Sequence, residues 1–300
     1  MTAPLTAVAP AKLNLTLSVV GRRDDGYHLL DSLVAFADIG DRLTAEPADF
    51  LSLEIAGPQA AALAGAAPSD NLVLRAARAL AEAAGATAGA RLVLEKHLPV
   101  ASGIGGGSAD AGAALRLLVR LWGVDLPAAR LEEIALDLGA DVPVCLASRP
   151  AWMGGIGEEL APVADLPTDP PPGVVLVNPG MATPTGAVFR ALGGRFSEAP
   201  ARPARLGPAL GDLVAAIRPL GNDLAAPARE VTPEIDPVLA ALEDLEDTRY
   251  AALSGSGATC FALFDDRAAA EAAAERVRET APAGWWIAAG ALSGASADAP

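Results

Sequence analysis

Four glycines fall within five positions, Gly103, Gly105, Gly106 and Gly107, and Ser108 follows them. Upstream, residues 91–98 read as a strand. Downstream, Leu115, Leu118, Val119 and Trp122 recur at the spacing of one helix face. Strand, glycine loop and helix N-terminus, in that order, make a cradle for an anion. Glycine lets the backbone approach a ligand. The first turn of a helix has unpaired N–H groups, and the positive end of its dipole favours negative charge. Pro99-Val100-Ala101-Ser102-Gly103-Ile104-Gly105-Gly106-Gly107-Ser108 is therefore the candidate phosphate loop; a flexible glycine turn would have the same composition. A Walker A loop is excluded, because Ala109 and not lysine chemistry surrounds Ser108. A dinucleotide fingerprint belongs early in a βαβ unit, whereas this loop lies about a third of the way along the chain.

Two more groups of residues could do chemistry. In Pro10-Ala11-Lys12-Leu13-Asn14-Leu15-Thr16-Leu17, alternation puts the leucines on one face of a strand broken by Pro10. Lys12, Asn14 and Thr16 then share the other face, which on an ordinary edge strand would be a solvated one. Asp141 lies between a helix over 131–138, closed by Gly139, and an extended Val142-Pro143. A helix C-terminus is a poor place for an uncompensated carboxylate. That points to a nearby cation or a functional role; the alternative is a carboxylate that holds a turn. The loop Gly21-Arg22-Arg23-Asp24-Asp25-Gly26-Tyr27-His28 ends in an aromatic and a histidine, and loops carry recognition residues.

Composition narrows the classes. The chain has 300 residues, 52% of them hydrophobic and 20% charged, enough for two domains with their own cores. A net charge of −15 argues against nucleic acid or an anionic membrane as the partner. Cys145 and Cys260 have no metal-like spacing, and His28 and His97 are the only histidines. A disulfide framework and a histidine-rich metal site are not expected. No apolar run is long enough to span a membrane and no signal peptide is read at the N-terminus, so a cytoplasmic protein is expected.

The elements that must position these residues follow in order. Leu29–Phe36 and Asp41–Ile55 read as strands, and Val73–Ala84 as a helix capped by Asp70 or Asn71. Asp165–Gly173 is the linker candidate, so the chain divides into residues 1–164 and 165–300. A buried strand at Val174–Val177 follows, then Thr183-Pro184-Thr185 leading into a short helix with Phe189. Residues 194–209, rich in proline and arginine, read as a mobile connection. Asn222-Asp223-Leu224 opens a helical stretch, and Pro237–Leu245 reads as another helix. Ser254-Gly255-Ser256-Gly257 turns between two strands, a helix from Arg267 to Glu279 and a strand near Trp285–Ala289 come next, and 293–300 reads as a disordered tail. The class is α+β.

Three motifs taken together resemble the GHMP kinase superfamily: Pro10-Ala11-Lys12-Leu13-Asn14-Leu15, the loop from Pro99 to Asp110, and Leu253-Ser254-Gly255-Ser256-Gly257-Ala258. The Gly26-Tyr27-His28, Asp70-Asn71-Leu72 and Gly139-Ala140-Asp141-Val142-Pro143 segments narrow the resemblance to the member acting on a cytidine diphosphate sugar alcohol. The likeness covers about residues 8 to 292. It implies a domain like ribosomal protein S5 domain 2 followed by a ferredoxin-like one, with substrates in the cleft between them. The implied reaction moves the γ-phosphoryl of ATP to the 2-hydroxyl of a methylerythritol moiety, in the non-mevalonate route to isoprenoid precursors. Asp141 would be the catalytic carboxylate and Lys12 its partner. The loop from Pro99 to Ser108 would hold the ATP phosphates, with Asn71 and Lys96 near the adenine. Tyr27, His28 and Phe189 would hold the cytosine, with Asn14 and Thr185 on the acceptor side. Relatives often carry Ser-Ser-Asn after the glycines; here Ser108-Ala109-Asp110 stands in its place, and Ser108 or Asp110 would be the Mg²⁺ ligand. The partners implied are small molecules, with a monomer or homodimer. A GHMP kinase for another small alcohol, such as homoserine or mevalonate, and a non-catalytic nucleotide-binding module of the same fold remain the alternatives.

Overall fold

The computed structural model describes residues 4–65, 67–85, 89–163 and 165–293. The chain starts with β1 (Leu5–Asn14), β2 (Ser18–Arg22) and a long β3 (His28–Ala48), followed by β4 (Ser52–Ala56). The two strands expected over 29–55 are thus divided differently: one strand of 21 residues runs through Asp38-Ile39-Gly40-Asp41. Those residues carry turn chemistry in the sequence. Gly40 instead serves a close approach, since a Cβ there would lie 2.5 Å from the carbonyl oxygen of Ala9 on β1. Pro10 does not break β1; it sits at a register shift between Pro10 and Lys12, the kind of irregularity where a strand tolerates proline.

The first half continues with α1 (Leu72–Ala83), β5 (Gly89–Glu95), α2 (Gly106–Trp122), α3 (Ala128–Leu138), α4 (Val142–Ala147), β6 (Ala151–Gly155) and β7 (Glu159–Pro162). β1, β2, β5, β6 and later β11 all pair with β3. The helices bury Leu80, Leu115, Leu118 and Ala135 against Val34, Phe36, Leu43 and Leu92 of the sheet.

The second half runs β8 (Gly173–Asn178), α5 (Thr185–Ala191), α6 (Leu210–Ile217), α7 (Ala225–Val231), α8 (Ile235–Glu243), β9 (Tyr250–Leu253), β10 (Cys260–Phe264), α9 (Arg267–Thr280) and β11 (Trp286–Ser293). Its strand order is β11-β8-β10-β9 with antiparallel neighbours. A βαββαβ chain in that order is the ferredoxin-like arrangement. The far end of β11 pairs Leu292 with Ala37 and Ser293 with Phe36 of β3, so the strands of both halves form a single 11-stranded sheet. A shared core cluster draws Leu13, Leu15, Leu33 and Ile104 from the first half and Leu176, Phe261 and Leu263 from the second.

Residues 194–209 contain no strand or helix, yet they are tied down. The Ser197 N–H donates to the Val19 carbonyl, Arg202 pairs with Asp31 at 2.9 Å, and Leu206 is buried with its N–H on Asp165. The expected mobile connection is a strapped loop. The tail expected over 293–300 lies outside the described residues from 294 on, and Ser293 belongs to β11. Among the described residues no helix is long and apolar enough to cross a membrane.

Gly173 sets how closely α9 packs on the sheet: a Cβ there would lie 1.9 Å from the carbonyl oxygen of Asp266, the cap of α9. Gly173→Ala is expected to lower stability by about 1–3 kcal/mol, the usual cost of overpacking. Urea unfolding checks this, and an unchanged midpoint would show that the contact gives way freely.

Candidate active site

Lys12 and Asp141 are about 130 residues apart in sequence, and the fold brings them together. Lys12 Nζ lies 3.1 Å from Asp141 Oδ2, with the lysine side chain 4% and the aspartate side chain 36% exposed. The polar face of β1 is not solvated. Lys12 Nζ donates to Asn14 Oδ1 at 2.8 Å, and Asn14 Nδ2 donates to Ser32 Oγ at 2.7 Å. Ser32 Oγ in turn donates to the Thr16 carbonyl at 2.5 Å, and Thr16 Oγ1 accepts the Leu33 N–H. Each polar group on this buried face has a partner, as burial demands. The chain of bonds fixes where the ammonium sits.

The local structure at Asp141 corrects the expectation. Val142-Pro143 is not extended; it forms the first turn of α4, and Asp141 stands at its N-cap position. Proline is tolerated there because first-turn N–H groups have no intrahelical acceptor. A carboxylate at this end is favoured by the dipole, although the expected helix does end just before it, at Leu138 with Gly139 as its C-cap.

The glycine loop leads into α2 through Gly105, which has φ +64° at the N-cap. A Cβ at Gly105 would come within 3.2 Å of Lys12 Cβ and Cε. Gly103, at φ +78°, faces the other half: a Cβ there would lie 2.6 Å from the Ser254 carbonyl oxygen and 2.7 Å from the Gly257 nitrogen. Ser254 Oγ donates to the Gly103 carbonyl and accepts the Asn14 N–H. The Lys12 N–H donates to the Ile104 carbonyl at 3.0 Å, the Thr259 N–H to Ser102 at 3.0 Å and the Thr183 N–H to Ala101 at 3.3 Å. Ser102 Oγ closes the turn onto the Pro99 carbonyl at 2.7 Å. By contrast, a Cβ at Gly106 or Gly107 would meet only ends of side chains, none nearer than 3.5 Å. Protein packing does not require glycine at those two positions.

Two cavities meet at this loop. One, of about 380 Å³, is lined by Lys12, Asn14, Ser108, Asp141, Thr185 and Phe189 among others. The second, of about 330 Å³, is lined by Leu53, Ile55, Asn71, Lys96, Val100 and Asp110 among others. Leu72, Ala101 and Gly107 line both. Asn71 caps α1, its Oδ1 accepting the Val73 N–H at 2.9 Å. Lys96 is buried between two carboxylates, 2.5 Å from Asp41 Oδ2 and 2.8 Å from Asp110 Oδ2. Asp41 Oδ1 also accepts the N–H groups of His97 and Leu98. Burial works against the Lys96 charge, but the Asp110 and Asp41 carboxylates outweigh it and hold its pKa above the usual value. Burial, opposed by Lys96 and reinforced by repulsion from Asp41, pushes Asp110 up to about 7.

His28 stacks on Phe189, with ring centroids 4.4 Å apart and planes 21° from parallel, while Tyr27 is 55% exposed. His28 opens β3 and pairs across the sheet with Arg22; Tyr27 stays in the preceding turn, where its N–H is held by Asp25. Burial and then the Arg22 charge lower the His28 pKa. Thr185 Oγ1 lies 3.0 Å from Ser256 Oγ on the far wall. Asp41, Ser32 and Ser254 take part in the site without having been singled out by spacing. Ser254 lay inside a noticed motif; Asp41 gave no local signal, because its partner Lys96 is distant in sequence.

Residues 71–149 match the family model for the GHMP kinases N terminal domain, and residues 203–283 match that for the GHMP kinases C terminal; fold and site together are those of a GHMP kinase. A protein of Paramagnetospirillum magneticum, named 4-diphosphocytidyl-2-C-methyl-D-erythritol kinase, is 54% identical over 282 residues, covering 93% of this chain and 95% of that one. One of the same name from Parvibaculum lavamentivorans is 53% identical over 298 residues, covering 98% and 100%. A crystal structure of 4-(cytidine 5'-diphospho)-2C-methyl-D-erythritol kinase matches with a TM-score of 0.78 at 38% identity, covering 97% of this chain and 100% of that one. The chain belongs to the 4-diphosphocytidyl-2-C-methyl-D-erythritol kinase family of alcohol phosphotransferases.

The raised Asp110 pKa has a consequence for stability. A carboxyl that holds its proton more tightly folded than unfolded favours the fold below its unfolded pKa. That contribution is lost as pH rises from about 4 to about 7. Asp110→Asn cannot ionise, so its stability is expected to fall less than the parent's between pH 4.5 and 7.5. Urea midpoints at the two pH values check this, and parallel profiles would contradict it.

Proposed function

We propose that the protein transfers the γ-phosphoryl group of ATP to the 2-hydroxyl of 4-(cytidine 5'-diphospho)-2-C-methyl-D-erythritol, with Asp141 as general base and Lys12 as its partner. The observation that carries the assignment of roles is the 3.1 Å pair of Lys12 and Asp141 in a cavity bordered by the glycine loop. The acceptor is a tertiary alcohol whose proton is hard to remove. Asp141 takes that proton as the bond from the alcohol oxygen to the γ-phosphorus forms. The bond from that phosphorus to the bridging oxygen of ADP breaks in the same displacement, and ADP leaves with the electron pair. Phosphoryl transfer asks the protein for position and charge more than for covalent chemistry. Lys12, held by Asn14, meets charge that develops near the base.

The division of the site into two cavities supports a division of ligands. ATP would place its adenine in the second cavity beside Asn71 and Lys96 and its triphosphate over Gly105 to Ser108. Gly106 and Gly107 line the first cavity, and with no side chain of their own they suit close backbone approach to phosphate oxygens. Asp110 Oδ2 is bonded to Lys96 and the side chain is buried, which leaves only its unpartnered Oδ1 for a metal. The Ser108 hydroxyl fits better, as one ligand of a phosphate-bound magnesium ion that would neutralise triphosphate charge. Phe189 and His28 offer the cytosine an aromatic surface, with Asn14 and Thr185 on the acceptor side. Homoserine and mevalonate have no base to stack on such a surface. A module without activity would have no use for the pairing of Lys12 with Asp141.

Asp141→Asn keeps size and hydrogen bonding but removes the proton acceptor; turnover is expected to fall by about 10²–10⁴ while both substrates still bind. Lys12→Ala is expected to cut turnover as well, and the double variant to lose less than the product of the two, since the residues act as a unit. An Asp141→Asn enzyme with near-normal turnover in an assay of ADP release would refute the base assignment. Stacking of a base on an aromatic is worth about 1–3 kcal/mol. Phe189→Ala is therefore expected to raise KM for the cytidylyl substrate about tenfold with little effect on that for ATP. An equal loss for both substrates would mean that the ring supports the fold and not the base.

A further inference from the structure

The ion pair at the centre of the site depends on where α4 sits, and α4 has only six residues. A helix that short leaves most of its carbonyls without intrahelical donors and has no stability of its own. Its support comes from one face of α2. At Gly112, a Cβ would lie 2.7 Å from the Cys145 carbonyl carbon and 2.8 Å from the Leu146 nitrogen, so the two backbones touch. One turn further along α2, Arg116 is 4% exposed. Its Nη1 donates to the carbonyls of Cys145 at 2.7 Å and Leu146 at 3.2 Å, and its Nη2 donates to the Val8 carbonyl at 3.1 Å. Cys145 and Leu146 lie in the last turn of the helix that Asp141 caps. Val8 precedes Lys12 by four residues on β1.

We propose that Arg116 is a positioning residue for phosphoryl transfer. It ties the C-terminal end of α4 to β1 and so sets the separation of Asp141 from Lys12, while Gly112 permits the close approach. The inference rests on the reading of Asp141 as general base. The guanidinium suits this task for three physical reasons. Its rigid fork serves carbonyls on two elements at once. Its charge is favourable at a helix C-terminus. It satisfies carbonyls that a six-residue helix cannot satisfy itself. Arg116 acts through the backbone and is not among the residues lining the catalytic cavity. Without the clamp, α4 keeps its packing against Gly112 but loses its tie to β1. A displacement of about 1 Å at a reacting group can cost about 10²-fold in rate.

The test measures ADP release from ATP and the cytidylyl substrate, with thermal unfolding beside it. Arg116→Met keeps length and bulk. It is expected to lower kcat about 10- to 100-fold while both KM values stay within about twofold, and to cause no further loss when added to Asp141→Asn. Arg116→Lys keeps a cation with fewer donors and is expected to give an intermediate kcat at an unfolding temperature close to the parent's. It decides the matter if Arg116→Met does not fold. The proposal is overturned if Arg116→Met, or in its absence Arg116→Lys, retains the parent's kcat. It is also overturned if kcat and both KM values deteriorate together, or if the loss multiplies with that of Asp141→Asn. An Asp141→Asn enzyme with near-normal turnover removes the base assignment and this inference together. If Asp141→Asn is inactive and the Arg116 variants are not, the clamp alone fails.

Discussion

The close packing of two glycine turns is the constraint on which the rest of the molecule depends. Gly103 lies against the backbone of Ser254 and Gly257, too near for any Cβ. One turn comes from the half that holds the glycine loop and the other from the ferredoxin-like half. Around that contact, backbone bonds run from Lys12 to Ile104, from Thr259 to Ser102 and from Thr183 to Ala101. β11 adds a second join by pairing with β3. Of the residues lining the cavity, Thr185 and Phe189 come from the second half, and Lys12, Asn14 and Asp141 from the first. Their relative placement is set by these joins, because neither half alone encloses the cavity.

A chain with net charge −15 must handle ligands that are themselves polyanions. Lys12 and Lys96 are both buried and each is matched by carboxylate, Lys12 by Asp141 and Lys96 by Asp41 and Asp110. Matching fixes the ammonium groups in place, at the expense of some of the attraction they would otherwise offer to phosphate. Backbone N–H groups at the start of α2 could supply attraction with no counter-ion and no rearrangement.

Much of this was legible in the sequence, in an uneven way. The loop from Pro99 to Ser108 announced itself because glycine spacing, strand and helix periodicity all point to one geometry. The polar face of Lys12, Asn14 and Thr16 was legible as a face, but alternation alone does not say whether a face meets water or a cavity. Asp141 stands out because a carboxylate after a helix end wants a cation, and α3 does end there with Lys12 beside it; the proline after it suggests extended chain, whereas that segment is α4. The long β3 reads as two strands in the sequence because Asp38, Gly40 and Asp41 are turn residues whose partners, on β11, on β1 and at Lys96, lie far away in sequence. Tyr27 and His28 are neighbours with similar ring chemistry; only the end of the strand decides which of them reaches Phe189.

Arg116 illustrates what sequence reading lacks most. It lies between Leu115 and Leu117 with nothing in the local spacing to single it out, yet it is buried and bonded to α4 and β1. Its i, i+4 neighbour Gly112 is likewise unremarked by any turn rule, since it lies within a helix. Glycine inside a helix costs about 1 kcal/mol relative to alanine, and a buried arginine must find partners for several donors. Two unfavourable choices one turn apart on the same face are mutually explained only when a third element packs there. That element is α4, which carries the proposed base. A helix of six residues with a carboxylate to hold in register needs support from its neighbours, and the pattern on α2 is the form that support takes.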